Sequence, residues 1–181
     1  MKNMKRVIVL GVTGSIAAYK AVELVRLMKK KGWDVWVLMT QAATAFVGEL
    51  TFRTLSHNPV SVGMFDDIGQ FNPEHITLAE KADILLIAPC TANVLAKLAH
   101  GLADDLLTST ALACEAPLVI SPAMNDKMWK HPATLDNVKT LKSRGATIID
   151  VSEGDLACGG QGRGRMAGLE EIIGVVESCL K

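Results

Sequence analysis

The sequence has no excess of either charge. Lys plus Arg and Asp plus Glu number 19 each, for a formal net charge of zero. No dominant field therefore draws the chain to nucleic acid or to an anionic membrane. No apolar run reaches the roughly 18 residues that a bilayer span requires, and only Met1 to Arg6 precedes the first strand-like run, with no apolar signal core. The expectation is a soluble, cytoplasmic protein with no membrane and no nucleic-acid partner. Cysteine is scarce: the four at positions 90, 114, 158 and 179 form no CxxC pair, a poor disulfide framework and a poor zinc site. The four histidines, at 57, 75, 100 and 131, are scattered, and no carboxylates pair at ligand spacing, so no catalytic metal is expected. No internal repeat or linker divides the 181 residues, which are expected to form a single domain.

What is present is apolar and periodic. Hydrophobic residues make up 49% and charged residues 21%, which excludes disorder. Short β-branched runs alternate with helical patterns from the start. RVIVL (6–10), DVWVLM (34–39), DILLIA (83–88), PLVIS (117–121) and a run at 146–150 read as strands. Helical spacing covers 15–31, 41–55, 73–81, 92–99, 103–113, 134–144 and 169–180, with a loop at 58–70. Uninterrupted apolar strands separated by helices predict a doubly wound parallel sheet, a Rossmann-like or flavodoxin-like three-layer α/β sandwich. Such sheets bind ligands beyond the carboxyl ends of their strands, so the segments after residues 10, 39, 88 and 121 carry the interest.

After the first strand stands Gly11-Val12-Thr13-Gly14-Ser15-Ile16, neither GxGxxG nor a loop ending in GK[ST]. Its glycines, amides and Ser15 hydroxyl suit a phosphate at a helix N-terminus, and they equally suit an ordinary turn with Ser15 as the cap. After the second strand, Thr40 and Thr44 could complete a phosphate site and Phe46 could pack on a flat heterocycle; capping and core packing are the alternative. No acidic residue ends that strand, which counts against a dinucleotide and towards a mononucleotide. After the third strand, Pro89-Cys90-Thr91-Ala92-Asn93 offers small side chains for a planar ring and polar groups for hydrogen bonds. Asp104 and Asp105 follow, in positions suited to capping. After the fourth, the neutral amide of Asn125 could hold a carboxylate, or cap a helix on which Met128 and Trp129 pack. Residues 154–168 have the composition of a flap closing over a ligand, with four glycines in six positions from 159 to 164, or else of a flexible hairpin. Cys158 there would be exposed and reactive.

Five segments in order, GSIAAYK (14–20), HITLAEKADILLIAP (75–89), TAN (91–93), PAMNDKMW (122–129) and ACGGQGRGRM (157–166), together resemble the homo-oligomeric flavin-containing cysteine decarboxylases. Within that family the likeness is strongest to the branch that converts 4′-phosphopantothenoylcysteine to 4′-phosphopantetheine in coenzyme A biosynthesis. The resemblance implies FMN as cofactor, held by Gly14, Ser15, Ile16 and Thr40 at the phosphate, with Phe46, Thr91, Ala92 and Asn93 about the flavin and ribityl chain. It implies His75, Asn125 and Cys158 as catalytic residues: His75 steering the thiol proton, Asn125 binding the substrate carboxylate and Cys158 donating a proton from the flap. Met128 and Ala157 would join Asn125 and Cys158 around a phosphorylated thiol substrate. It further implies a trimer or a dodecamer of trimers, and a functional link to the phosphopantothenate–cysteine ligase to which such domains are often fused.

The chemistry is coherent. An α-amido carboxylate loses CO2 with difficulty because the electron pair left behind has no sink. Oxidising the neighbouring CH2–SH to a thioaldehyde at the expense of FMN supplies one, and the resulting enethiolate is then reduced back. This chain departs from the family at Gly160, where an acidic residue is common, and at Gly168-Leu169 after Met166, where Glu-Pro is common. Arg163 and Arg165 suit an anionic substrate or open solvent. The rival readings are a decarboxylase of C-terminal cysteines in peptides, a flavin prenyltransferase, and a flavin-binding regulatory relative without catalysis.

Overall fold

The computed structural model describes residues 5–64, 74–155 and 159–181. Six strands form one parallel sheet: β1 (Val7–Val12), β2 (Asp34–Met39), β3 (Val60–Ser61), β4 (Ile84–Cys90), β5 (Leu118–Pro122) and β6 (Thr147–Ile148), in the order β3-β2-β1-β4-β5-β6. Every pairing in this sheet is parallel. The chain moves outward from β1 to β3 and then returns to add β4 on the other side, so the strand order reverses between β1 and β4. Crossovers are helical: α1 (Ala18–Lys30), a 3-10 turn (Gln41–Ala45), α2 (Glu49–Ser56), α3 (Glu74–Lys81), α4 (Ala92–His100), α5 (Leu106–Ala113), α6 (Asp126–Lys130), α7 (Pro132–Ser143) and α8 (Leu169–Cys179). Between β6 and α8 lies an antiparallel hairpin of β7 (Ser152–Asp155) and β8 (Gln161–Arg165). The three-layer α/β sandwich expected from the sequence is thus present.

Alternation along the central strands splits the core into two halves. Ile8, Leu10 and Val12 face α1 and α8 together with Leu24, Met28 and Ile172, while Val9, Leu85 and Ile87 face α4 and α5 with Leu95 and Leu107. All seven residues of β4 are buried, as a strand covered on both faces requires. Each fully buried Leu or Ile stabilises the fold by about 1.5–3 kcal/mol relative to exposure.

Helix starts follow local chemistry. The Thr91 side chain accepts from the Val94 amide at the head of α4, and Asp105 with Thr108 forms a reciprocal capping box on α5. His131 Nδ1 accepts from the Ala133 amide, with Pro132 at the first position of α7. The stretch 41–55, helical in its apolar spacing, is interrupted. Gly48 is extended (φ −74°, ψ 144°) as the cap residue of α2, with Glu49 in its first turn, so the single helix becomes a 3-10 turn and a helix. The edge strand β3 occupies part of what reads as a loop; two residues are too few to show a period.

Candidate functional site

The site forms where the chain reverses. Thr13, fully buried, donates from Oγ1 to the Pro89 carbonyl (2.7 Å) and accepts from the Thr91 amide (3.0 Å), locking the ends of β1 and β4 together. Gly14 then passes so close to the 3-10 turn after β2 that a Cβ would lie 2.5 Å from the Ala42 Cβ. Only glycine brings this turn onto that neighbour. Ser15 Oγ accepts from the Ala17 amide (3.2 Å), opening the first turn of α1 and leaving its own O–H to donate elsewhere.

Thr40 ends β2 beside this turn, its amide donating to the Val12 carbonyl at 3.0 Å. Its Oγ1 is buried and has no partner among the described residues. An unsatisfied buried hydroxyl costs about 1–3 kcal/mol. A phosphate gathered by the Gly14–Ser15 turn and the Thr40 hydroxyl would satisfy it with neutral donors, so this corner fits the phosphate of a mononucleotide. Thr44, by contrast, donates to the Gln41 carbonyl (2.8 Å) within the 3-10 turn.

From this corner a cleft of about 510 Å³ extends along the carboxyl ends of β1, β4 and β5. One wall is the turn after β1 with Ile16, Tyr19 and Lys20; the floor includes Thr91 and Ala92; the opposite wall is Met124, Asn125 and Met128, closed by Gly164 and Arg165 of β8. The segment after β5 is pinned on both sides. The Ala123 amide donates to the Cys90 carbonyl and the Met124 amide to the Gly164 carbonyl, each at 2.9 Å. Gly164 lies so close that a Cβ there would sit 2.2 Å from the Met124 carbonyl oxygen. Asn125 caps α6, its Oδ1 accepting from the Lys127 amide at 2.9 Å. The cap orients the amide plane. Of the two readings of Asn125, the capping one is seen in the structure.

Of the residues expected at the site, Gly14, Ser15, Ile16, Thr91, Ala92, Asn125 and Met128 converge on this cleft. Thr40 stands behind it. Phe46 is half exposed and Asn93 exposed, and neither lines it. His75 is in the first turn of α3, which leads into β4, so its end of the helix lies at the sheet's carboxyl edge, outside the cleft lining of its own chain. Ala157 and Cys158 lie outside the described residues, between the two strands of the hairpin. Lys20, Met124 and Gly164 carry no role in the sequence analysis, although each falls in or beside a quoted motif, whereas Arg165 is named there as suiting an anionic substrate or open solvent.

The electrostatics sort the remaining candidates. Burial pushes the Cys90 thiol far up, and Cys90 is fully buried, so it is a core residue and no nucleophile. Asp104 and Asp105 hold Lys97 at 2.7 Å and 3.0 Å. These contacts, the Asp104 hydrogen bond first, raise the Lys97 pKa. Lys20 is held below the usual lysine range, first by burial and then by the neighbouring Arg165.

A mononucleotide corner with neutral donors, at the crossover of a doubly wound sheet and opening into a cleft, is the architecture of a flavin-binding α/β domain. The chain belongs to the Flavoprotein family, whose model matches residues 1–181. It is 44% identical over 181 residues, all of this chain, to the coenzyme A biosynthesis bifunctional protein CoaBC of Mycolicibacterium smegmatis, of whose length it spans 43%. Less than half of the curated relatives it matches is therefore represented. Among solved structures it is similar to a PPC decarboxylase, a cysteine-to-serine variant complexed with pantothenoylaminoethenethiol (32% identity, TM-score 0.86, covering 97% of this chain and 98% of that one). It is similar also to the FMN-dependent cysteine decarboxylase SpaF (31% identity, TM-score 0.82, covering 98% and 95%).

Proposed function

We propose that this chain is an FMN-dependent carboxy-lyase that decarboxylates 4′-phosphopantothenoylcysteine to 4′-phosphopantetheine. The observation that carries this reading is the convergence on one cleft of the phosphate corner (Gly14, Ser15, with Thr40 behind), the Asn125 amide and the β8 arm of the flap. The likeness to CoaBC and to a PPC decarboxylase narrows the substrate. FMN, when bound, supplies a reversible two-electron acceptor, which is what a thiol must have if its neighbouring carboxylate is to find an electron sink.

The residues do the rest. Gly14, Ser15 and Thr40 hold the cofactor phosphate with uncharged donors, and Thr91 and Ala92 line its approach. Asn125 holds the substrate carboxylate through NH2 donors and places no full positive charge beside it. A cation there would stabilise the ionised acid more than the transition state that sheds its charge as CO2, so the neutral amide is the better partner. His75 moves the thiol proton. Cys158 returns a proton to carbon at the end.

His75 is absent from the cleft of its own chain, and the cleft mouth exposes Ile16 (57%), Tyr19 (60%) and Met128 (49%). Both features fit a homo-oligomer, a trimer or a dodecamer of trimers, in which a neighbouring copy covers the mouth and supplies the histidine. The protein works in the cytoplasm, next to the ligase that makes its substrate. A mass spectrum of 4′-phosphopantothenoyl-L-cysteine after incubation with the flavin-loaded protein tests the reading. Loss of one CO2 and nothing else is expected. Unchanged substrate from yellow protein overturns the substrate assignment and turns the search to peptides ending in cysteine.

A further inference from the structure

Two cations line the cleft with no carboxylate bridged to them among the described residues. Lys20, half-buried on α1, and Arg165, from β8, come from elements far apart in sequence and line the same space. Neither is in a salt bridge among the described residues, whereas Arg163, two residues away, is paired with Asp150. Asp155 also lines the cleft but bridges to neither cation and has no part in the shift of Lys20. The two positive groups are close enough that Arg165 helps to depress the lysine's pKa. Placing like charges together in a partly buried cleft costs free energy, and a bound anion would recover it.

The hairpin also makes room for the arginine. Gly154, in β7 with φ +147°, lies against the guanidinium so closely that a Cβ there would meet Arg165 Nη1 at 2.4 Å. A glycine in a conformation that other residues rarely adopt makes the space in which this guanidinium crosses the hairpin.

We propose that Lys20 and Arg165 form a subsite for a phosphate monoester dianion, the non-reacting end of the substrate, and that this pair is the determinant by which the protein selects phosphorylated over unphosphorylated thiols. The inference rests on the decarboxylase reading for the identity of the substrate. Three considerations favour that end of the molecule. The cofactor phosphate has its own corner, built from neutral donors before α1 begins, whereas Lys20 stands within α1, on the cleft wall. The substrate carboxylate is served by the neutral Asn125 and gains nothing catalytic from cations. Binding energy at a remote, unreacting group can position the reacting atoms without stabilising the ground state at the reacting carbon. A guanidinium fork beside an ammonium suits a tetrahedral dianion.

The test uses the flavin-loaded protein, titrated calorimetrically with 4′-phosphopantetheine and with pantetheine, and its variants Lys20→Met, Arg165→Met and, as control, Arg163→Met. A charge-assisted contact implies that each of the first two substitutions weakens 4′-phosphopantetheine about tenfold or more while leaving pantetheine within about twofold. Arg163→Met is expected to change neither. FMN affinity, read from flavin fluorescence on the apoprotein, should be the same in all four proteins. Loss of FMN affinity with the preference for phosphate intact would overturn the proposal by assigning the pair to the cofactor. Equal binding of the two thiols by the unmodified protein, or a preference that survives both substitutions, would overturn it by showing the cations to be merely solvated. A clear preference for the phosphorylated thiol that both substitutions abolish, in a protein that releases no CO2, would uphold the subsite while refuting the proposed reaction.

Discussion

The contact between Gly164 and the segment after β5 gives the most exacting test of how the site is assembled. In Gly164→Ala the new methyl carbon would lie 2.2 Å from the Met124 carbonyl oxygen and 3.2 Å from the Asn125 carbonyl carbon, both backbone. Neither can rotate away as a side-chain tip would, so β8 or the Met124–Asn125 backbone must move by about 1 Å to reach ordinary contact distance. The same movement strains the Met124 N–H to Gly164 carbonyl bond, now 2.9 Å. Overpacking costs about 1–3 kcal/mol and a weakened hydrogen bond about 1 kcal/mol, together about 2–4 kcal/mol. For a chain of this size that lowers Tm by roughly 5–15 °C. The displaced residue is Asn125, and a shift of about 1 Å in a positioning group can cost on the order of 100-fold in rate. FMN affinity, set at the other end of the cleft, should change by less than about threefold. Gly168→Ala is the control, since nothing lies within 4 Å of its added methyl and its φ of −61° is open to alanine. Thermal melts, flavin titration and CO2 release are measured on both. A Gly164→Ala protein that melts within about 1 °C of the parent and keeps full turnover would show that the hairpin does not set the position of Asn125.

Four further outcomes follow from the same geometry. Thr40→Val removes a buried hydroxyl that has no partner among the described residues, so the apoprotein should be more stable by about 1 kcal/mol, while FMN binds about tenfold more weakly; a parallel change in both would separate Thr40 from the phosphate. Gly14→Ala drives a methyl to within 2.5 Å of the Ala42 Cβ, and flavin retention after gel filtration should be lost before the far-ultraviolet circular dichroism changes; yellow protein at full occupancy would contradict this. Cys158→Ser is expected to release product two mass units lighter than normal, the unsaturated enethiol, and normal product from that variant would remove Cys158 from the proton-donating step. Asp105 is partly buried, which raises its pKa, but the Thr108 and Lys97 hydrogen bonds outweigh this and leave it lowered. Its contribution is therefore present above the ordinary carboxyl pKa near 3.9 and is lost as pH falls through the lower folded value. Asp105→Ala should cost about 1–2 kcal/mol at pH 7, and the gap in Tm should close in acid; a gap that persists unchanged to the lowest pH at which both proteins fold would show that the ionised carboxylate is not its source.

The sandwich was legible because its signals are local. The runs at 34–39 and 83–88 are apolar without alternation, and only a strand covered on both faces tolerates that. Helix starts at Thr91, Asp105 and Pro132 are set by side chains within four residues of the amides they satisfy. Two errors of extent have the same origin: the break at Gly48 and the two-residue edge strand β3 depend on what the neighbouring strand and turn require, and no periodicity records that.

The site divides along the same line. Sequence by itself determined which segments end strands, and with them Gly14, Ser15, Thr91 and Asn125, because a doubly wound sheet delivers every such end to one edge. It also determined that no charge of one sign dominates, and it left Asn125 open between a cap and a carboxylate ligand. The tertiary structure alone decided that Thr13 ties β1 to β4 and, among the described residues, that Thr40 keeps a buried hydroxyl without a partner and that Arg163 is in a salt bridge while Arg165 is not. It alone set Lys20 beside Arg165 and left His75 outside its own chain's cleft. Capping acts through bonds between near neighbours in the chain, and a buried strand is marked by a local apolar run. Satisfaction of a buried hydroxyl and repulsion between two cations depend on distances across the fold, which fall off with separation in space and carry no trace in the order of residues.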